Sequence, residues 1–323
     1  MKKHLLFLAA LAALPLVSCN REPARTDGEP VEITVTIQGT APTRATNVTY
    51  DNESAVANLQ VYVFNNQKLE DYRDAGAAMT AKLTASSGQR TVWALVNAPA
   101  IKDIATEDEL SARVSQLNAN KTNAFVMSGS ATQELTDGGT VSITVKRIVS
   151  RVSVKKISTD FQYSLASESL TVDAIYLINV AADNNYAVSA TPSVWVNQLG
   201  HKDNGYDSLL YDTVSATVKN GTPHTTEHVF YPYPNPTEAA AYDATWKPRH
   251  TMLVVEVTFE NKKGYYPVEL PVLERNKTYV IEEMVIQHRP GDVPYKPLQN
   301  GETNVQITVN DWETGLNLGT VTL

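Results

Sequence analysis

From residue 31 onward, apolar side chains fall at every second position: Val31, Ile33, Val35 and Ile37 alternate with Glu32, Thr34 and Thr36. Successive side chains of an extended chain point to opposite faces, so a period of two describes a strand with one face buried. The same alternation, or a short apolar run bounded by turn residues, predicts strands at 58–64, 79–85, 90–97, 140–157, 170–180, 228–233, 251–260, 265–270, 277–287, 304–309 and 317–323. So many short strands must close into sandwiches or barrels, and the expected fold class is all-β. One helix interrupts the pattern. Ile101, Ile104, Leu110, Val114 and Leu117 have helical spacing, and Thr106 followed by Glu109 fits a capping box that starts the stronger helix at Glu107. Segments 197–206 and 231–248 are rich in turn residues and read as surface loops, and no internal repeat is visible in the sequence. The polar stretch 158–169 follows an 18-residue strand pattern and is the expected junction, giving domains at 45–160 and 161–323.

The N-terminus reads as an export address. Lys2, Lys3 and His4 precede the run 5–16 of Leu, Ala and Phe, which is shorter than the roughly 20 residues of a membrane span. Leu16-Val17-Ser18-Cys19 then matches a lipobox, in which Cys19 takes a diacylglyceryl group and residues 1–18 are removed. Acyl chains hold a protein to a membrane because each buried methylene contributes about 0.8 kcal/mol. Cys19 is the sole cysteine, so no disulfide is expected and packing must supply the stability. Residues 20–30 are polar and broken by Pro and Gly, as in a tether. Residues 19–44 as a whole read as a propeptide that carries the first strand. Beyond that strand Pro42-Thr43-Arg44-Ala45 places a lone arginine in a threonine-rich stretch, an expected processing site between Arg44 and Ala45. Residues 45–323 carry 22 basic and 31 acidic side chains, a net charge of −9, which argues against nucleic acid as a partner.

Catalytic chemistry finds little purchase. There is no Gly-x-Ser-x-Gly elbow, no phosphate-binding glycine loop and no Cys/His cluster, so no catalytic residue, metal site or cofactor is expected. Of the six histidines, His224 and His228 have an i,i+4 spacing that a two-ligand metal site could use, but Thr225-Thr226 between them and the strand after them argue against a helix and point instead to a solvated loop. Asp183-Asn184-Asn185 offers oxygens without an EF-hand pattern and reads as a turn. Arg147 and Arg151 share one strand face and read as an edge or interdomain salt bridge. Trp93 lies in an apolar strand and is expected in the core; Trp195 and Trp246 fall in loops and keep a glycan-binding alternative open.

Several stretches taken together resemble one family: the lipobox, Pro-Thr-Arg-Ala, the segments 56–64, 92–99, 125–129 and 145–152, Arg275-Asn-Lys-Thr-Tyr279, and the segment 305–312 ending Val-Asn-Asp-Trp. In order and spacing they are similar to the fimbrillins of the type V pili made by Bacteroidales. The resemblance implies two β-sandwich-like, transthyretin-like domains with one or two short helices. It implies transport to the outer membrane as a lipoprotein precursor, then cutting by an arginine-specific surface protease that removes lipid and first strand. The displaced strand would be 31–38, with Val31, Ile33, Val35 and Ile37 leaving a groove. The donor from another fimbrial subunit would be 303–323, through Val305, Ile307, Val309, Leu316, Leu318, Val321 and Leu323. The implied product is a structural subunit of a surface fimbria supporting adhesion, with a host protein or glycan as a further partner. The alternatives are a tip or accessory adhesin, or a surface glycan-binding lipoprotein that keeps its lipid.

Overall fold

The computed structural model describes residues 28–39, 53–187, 191–298 and 307–312, and the backbone of 320–322. Nearly everything described is strand, loop or turn. The first half holds β1 (Pro30–Gln38), β2 (Leu59–Asn65), β3 (Lys68–Asp74), β4 (Thr80–Ser86), β5 (Gly88–Val96), β6 (Val114–Gln116), β7 (Met127–Leu135), β8 (Thr140–Thr144) and β9 (Lys146–Arg147). They form a three-stranded sheet, β4-β1-β8, facing a five-stranded sheet, β3-β2-β5-β7-β9. Between the sheets lies a core of Val31, Ile33, Val35, Ile37, Leu59, Val61, Val63, Leu83, Val92 and Ile143, among others.

The five-stranded sheet is covered on its other face too. Tyr62, Phe64, Trp93 and Leu95 pack there against Ile101, Ile104, Leu110 and Leu117. Burial on both faces explains why β2 reads as a continuous apolar run rather than an alternation. Among those covering residues is the expected helix, α1 (Glu107–Ala112), shorter than its apolar spacing suggested. The Thr106 hydroxyl accepts from Glu109 N–H at 3.2 Å, and the Glu109 carboxylate accepts from Thr106 N–H at 3.3 Å, closing the capping box.

The second half holds β10 (Arg151–Val154), β11 (Ile157–Thr159), β12 (Ser169–Ile178), β13 (Val180–Ala181), β14 (Asp183–Asn185), β15 (Trp195–Val196), the one-turn α2 (Asp207–Leu210), β16 (Tyr211–Lys219), β17 (His228–Phe230), β18 (Met252–Phe259), β19 (Lys262–Glu269), β20 (Lys277–Ile281), β21 (Glu283–Ile286), β22 (Thr308–Asp311) and β23 (Thr320–Thr322). Its sheets β17-β10-β20 and β16-β12-β18-β19 repeat β4-β1-β8 and β3-β2-β5-β7 strand for strand. The senses repeat as well: β1 is antiparallel to β4 and parallel to β8, and β10 is antiparallel to β17 and parallel to β20. Two sandwiches of one topology are thus present, a repeat that the sequence does not betray. β22 and β23 extend the second sandwich, beside β20 and β21.

Three expectations change. The run 140–157 is not one strand: β8 pairs with β1, β9 with β7 of the facing sheet, and β10 and β11 with strands of the second half. The change of partners therefore falls between Arg147 and Arg151, ahead of the polar stretch expected to mark it, because β10 is the first strand of the second sandwich. Asp183-Asn184-Asn185 is a strand paired with β6 rather than a turn, and the Asp183 carboxylate accepts from the N–H groups of Ser193 and Val194. Strands β3, β7 and β16 were not foreseen, since their polar residues carry no apolar period.

Candidate assembly site

β1 is the central strand of its sheet. Its antiparallel register with β4 runs from Pro30↔Ser86 to Thr36↔Thr80, and its parallel register with β8 from Thr34↔Thr140 to Gln38↔Thr144. Val31, Ile33, Val35 and Ile37 are all buried, so the alternation read from the sequence is the alternation in the fold. Turn residues add to the ladder: Thr34 N–H donates to Gly139 O at 2.9 Å, and Glu32 N–H to the Asp137 carboxylate at 3.0 Å.

β4 and β8 each pair with β1 and not with one another. Taking β1 away would leave two facing strand edges about two strand spacings apart, roughly 9–10 Å. The floor of that groove would be the apolar face of Leu59, Val61, Val63 and Val92. Four fully buried aliphatic side chains contribute about 6–12 kcal/mol by transfer, an upper figure for a compact unfolded chain. That equals the net stability of an ordinary domain. The sandwich needs some strand in this position.

Beyond β1 the chain continues into residues 40–52, which include Arg44 and Ala45 and lie outside the described residues, as does Cys19. The chain re-enters at Glu53, in a buried network at the junction of the halves. Glu53 Oε1 accepts from Tyr231 Oη at 2.6 Å and Arg151 Nε at 3.2 Å, and Oε2 accepts from Trp312 Nε1 at 3.2 Å. Arg147 donates to Glu53 O and to Ser54 Oγ, and its guanidinium lies 4.7 Å from the Trp312 ring. Arg151 therefore makes the junction salt bridge, with Glu53 at 3.2 Å and Glu227 at 3.7 Å. Arg147 sits on a different strand, β9, and is described donating to a backbone carbonyl and a hydroxyl, so the two do not share one strand face as their spacing suggested. Burial, and then the Glu53 carboxylate, push the Tyr231 hydroxyl far above its ordinary range, so it serves as a donor.

The C-terminal segment lies against its own sandwich. β22 is antiparallel to β20, with Tyr279↔Val309 and Val280↔Thr308, and β23 is parallel to β21. The faces are not those expected from alternation. Thr308 is buried, Ile307 is half-buried against the core, and Val309 is 44% exposed. Trp312 carries the anchoring instead, packed on Phe125 and Tyr231 with centroids 6.0 and 5.9 Å away. Val305, Leu316, Leu318 and Leu323 lie outside the described residues; for Val321 only the backbone, paired with Met284, is described.

Two clusters were missed by sequence reasoning. Glu53 is invisible because its partners are 94 to 259 residues away. His224 and His228 were placed in a solvated loop, yet His228 is buried and hydrogen-bonded to Asp212, a contact that spacing along the chain does not show. Trp93 is buried as expected, its Nε1 donating to Glu107 at 3.0 Å. Trp195 and Trp246 meet edge to face at 5.7 Å, each half-buried.

Residues 30–160 match the family of the major fimbrial subunit protein FimA. A curated relative, the type-2 major fimbrium subunit FimA of Porphyromonas gingivalis, is 26% identical over 97% of this chain and 98% of its own length. A putative cell adhesion protein of Bacteroides eggerthii shares the fold with a TM-score of 0.68 at 18% identity, covering 93% of this chain and 99% of that one. A fimbrilin of Porphyromonas gingivalis does so with a TM-score of 0.60 at 14% identity, over 90% of this chain and 97% of the other. The resemblance drawn from the sequence motifs holds: residues 30–160 match the FimA family, and nearly the whole chain is similar to a FimA-type major fimbrium subunit.

Proposed function

We propose that this chain is a structural subunit of a cell-surface fimbria that polymerises by strand exchange after its first strand is cut away. The observation that carries the reading is the placement of β1. It is a central, fully engaged strand, and Arg44 lies in the connection between it and the rest of the chain. A cut there leaves β1 held by non-covalent bonds alone. Its departure opens an edge that invites pairing, and an extended segment from a second copy restores both the hydrogen bonds and the apolar fill. Because donor and groove are different surfaces, the contact is heterologous and grows a filament. Cys19 holds the precursor to the outer membrane through its lipid until an arginine-specific surface protease acts. The partners are other fimbrial subunits and, through adhesion, a host protein or glycan.

Expression of Arg44→Ala in the native host tests this. The expected product is a folded, unpolymerised precursor; normal fibres from the mutant would overturn the reading. One observation favours a second reading, a terminal or accessory subunit: β22 and β23 pair within their own chain. Deleting residues 313–323 separates the two, since a terminal subunit would still join the fibre without them.

A further inference from the structure

We propose that His224 and His228 form a binding site for a borderline divalent transition-metal ion, Zn²⁺ being the reference case, with Asp212 behind them as outer-shell partner. The site lies on the second sandwich and is independent of the strand-exchange reading.

The backbone fixes where both imidazoles start. His228 opens β17 and pairs with Val154. His224 exchanges two backbone hydrogen bonds with Ile157, at 2.8 and 2.9 Å. The two histidines are thus tied to neighbouring parts of one run, β10 and β11. Asp212, from β16, places Oδ2 at 2.6 Å from His228 Nδ1. An ionised carboxylate only accepts, so the Nδ1 of His228 carries a proton, and in the neutral ring that a metal needs the Nε2 then presents a lone pair. That nitrogen faces Nε2 of His224 at 2.8 Å, the rings meeting end to end with centroids 5.1 Å apart and planes at 25°.

In the metal-free arrangement one Nε2–H lies between the two rings as a shared hydrogen bond. Two nitrogens each about 2.0–2.1 Å from a tetrahedral zinc ion stand about 3.3 Å apart. Opening the pair by roughly half an ångström therefore replaces the shared proton with an ion, within ordinary ring rotation. Neutral imidazoles suit zinc, copper and nickel. A carboxylate on the far nitrogen is the arrangement that orients a ligating histidine and raises its basicity. His228 is buried and His224 half-buried, so the ion would be reached from the His224 side. Among the described residues no third His, Cys, Asp or Glu completes the set, which leaves two positions for water or for a side chain of a second copy. Asp212 contributes charge without occupying one, and nearby Glu227 is held by Arg151.

The test is isothermal titration of Zn²⁺ into the full chain carrying Cys19→Ala, which removes the competing thiol. One ion per chain is expected, with binding lost in His224→Ala and in His228→Ala. Asp212→Asn should weaken binding about 10–100-fold, the usual cost of an outer-shell partner. His224→Ala keeps the test valid if His228→Ala fails to fold, because His224 is the less buried of the two. Absence of Zn²⁺ binding, or equal binding by the His224→Ala protein, would overturn the proposal and leave a plain hydrogen-bonded histidine pair.

Discussion

At the scale of residues, Glu53 ties the start of the described chain after β1 to the C-terminal Trp312. Its carboxylate holds Tyr231, Arg151 and Trp312 at once. Removing one partner of a buried ion pair leaves the other charge uncompensated and costs about 3–5 kcal/mol. Arg151 keeps Glu227, so Glu53→Ala should fall at or below the lower end of that range, measured as urea denaturation. Trp312→Ala should cost about 3–5 kcal/mol, as a large buried aromatic does; no change in midpoint would mean that the segment does not pack here. Glu70 sets an acid limit. Burial would raise its carboxyl, but hydrogen bonds from Ser86, Asn65 and Arg90 outweigh that and hold it below the usual value of 4.5. A depressed folded value means that its stabilisation is complete above about 4.3, the unfolded value, and is lost as the pH falls through the folded one. The urea midpoint should drop between pH 5 and pH 3 by more in the wild type than in Glu70→Gln. That Arg151 makes an ion pair at the junction was legible in the sequence, whereas Glu53 and Asp212 were not, since long-range pairing leaves no local trace.

At the scale of elements, the strands that bury one face were legible and the others were not. β1 wrote its environment into its alternation, and β4 did likewise. β3 reads Lys-Leu-Glu-Asp-Tyr-Arg-Asp, and only its pairing with β2 makes it a strand. The 140–157 run looked continuous because its apolar residues, from Val141 through Val145, Ile148 and Val152 to Ile157, are buried in every piece of it; hydropathy records burial and not the partner. For β1 the two faces make a direct comparison. Ile33→Asp buries a charge in the core and should unfold or severely destabilise the precursor. Thr34→Asp, on the opposite face, should change the melting temperature little. Equal effects would contradict the register. At the other end, removal of 303–323 takes Trp312 with it and should destabilise the monomer. Removal of 313–323 spares Trp312 and should leave a folded monomer, as read by circular dichroism.

At the scale of the whole molecule, one sandwich plan is used twice, with β1 and β10 in equivalent central places. The difference between them is covalent. β10 is joined to its neighbours on both sides by a few residues, whereas β1 hangs from the protein through residues 40–52. Of the two, β1 is the strand that a single cut would make separable, so in the proposed strand exchange the first sandwich and not the second is the acceptor. The central claim is that release of β1, and not the cut itself, permits polymerisation. Thr34 and Lys82 face each other across β1 and β4, and Thr34 N–H points away toward Gly139. They are therefore a non-hydrogen-bonded pair, with Cα atoms about 4.5 Å apart, within disulfide range. The decisive measurement is the ladder of subunits on an unboiled denaturing gel from purified Thr34→Cys/Lys82→Cys in a Cys19→Ala background, cleaved at Arg44 in vitro with an arginine-specific protease. The account predicts a cleaved but monomeric protein while the disulfide is intact, and a ladder once it is reduced. A ladder from the cleaved, oxidised protein would show that β1 need not leave, and would contradict it.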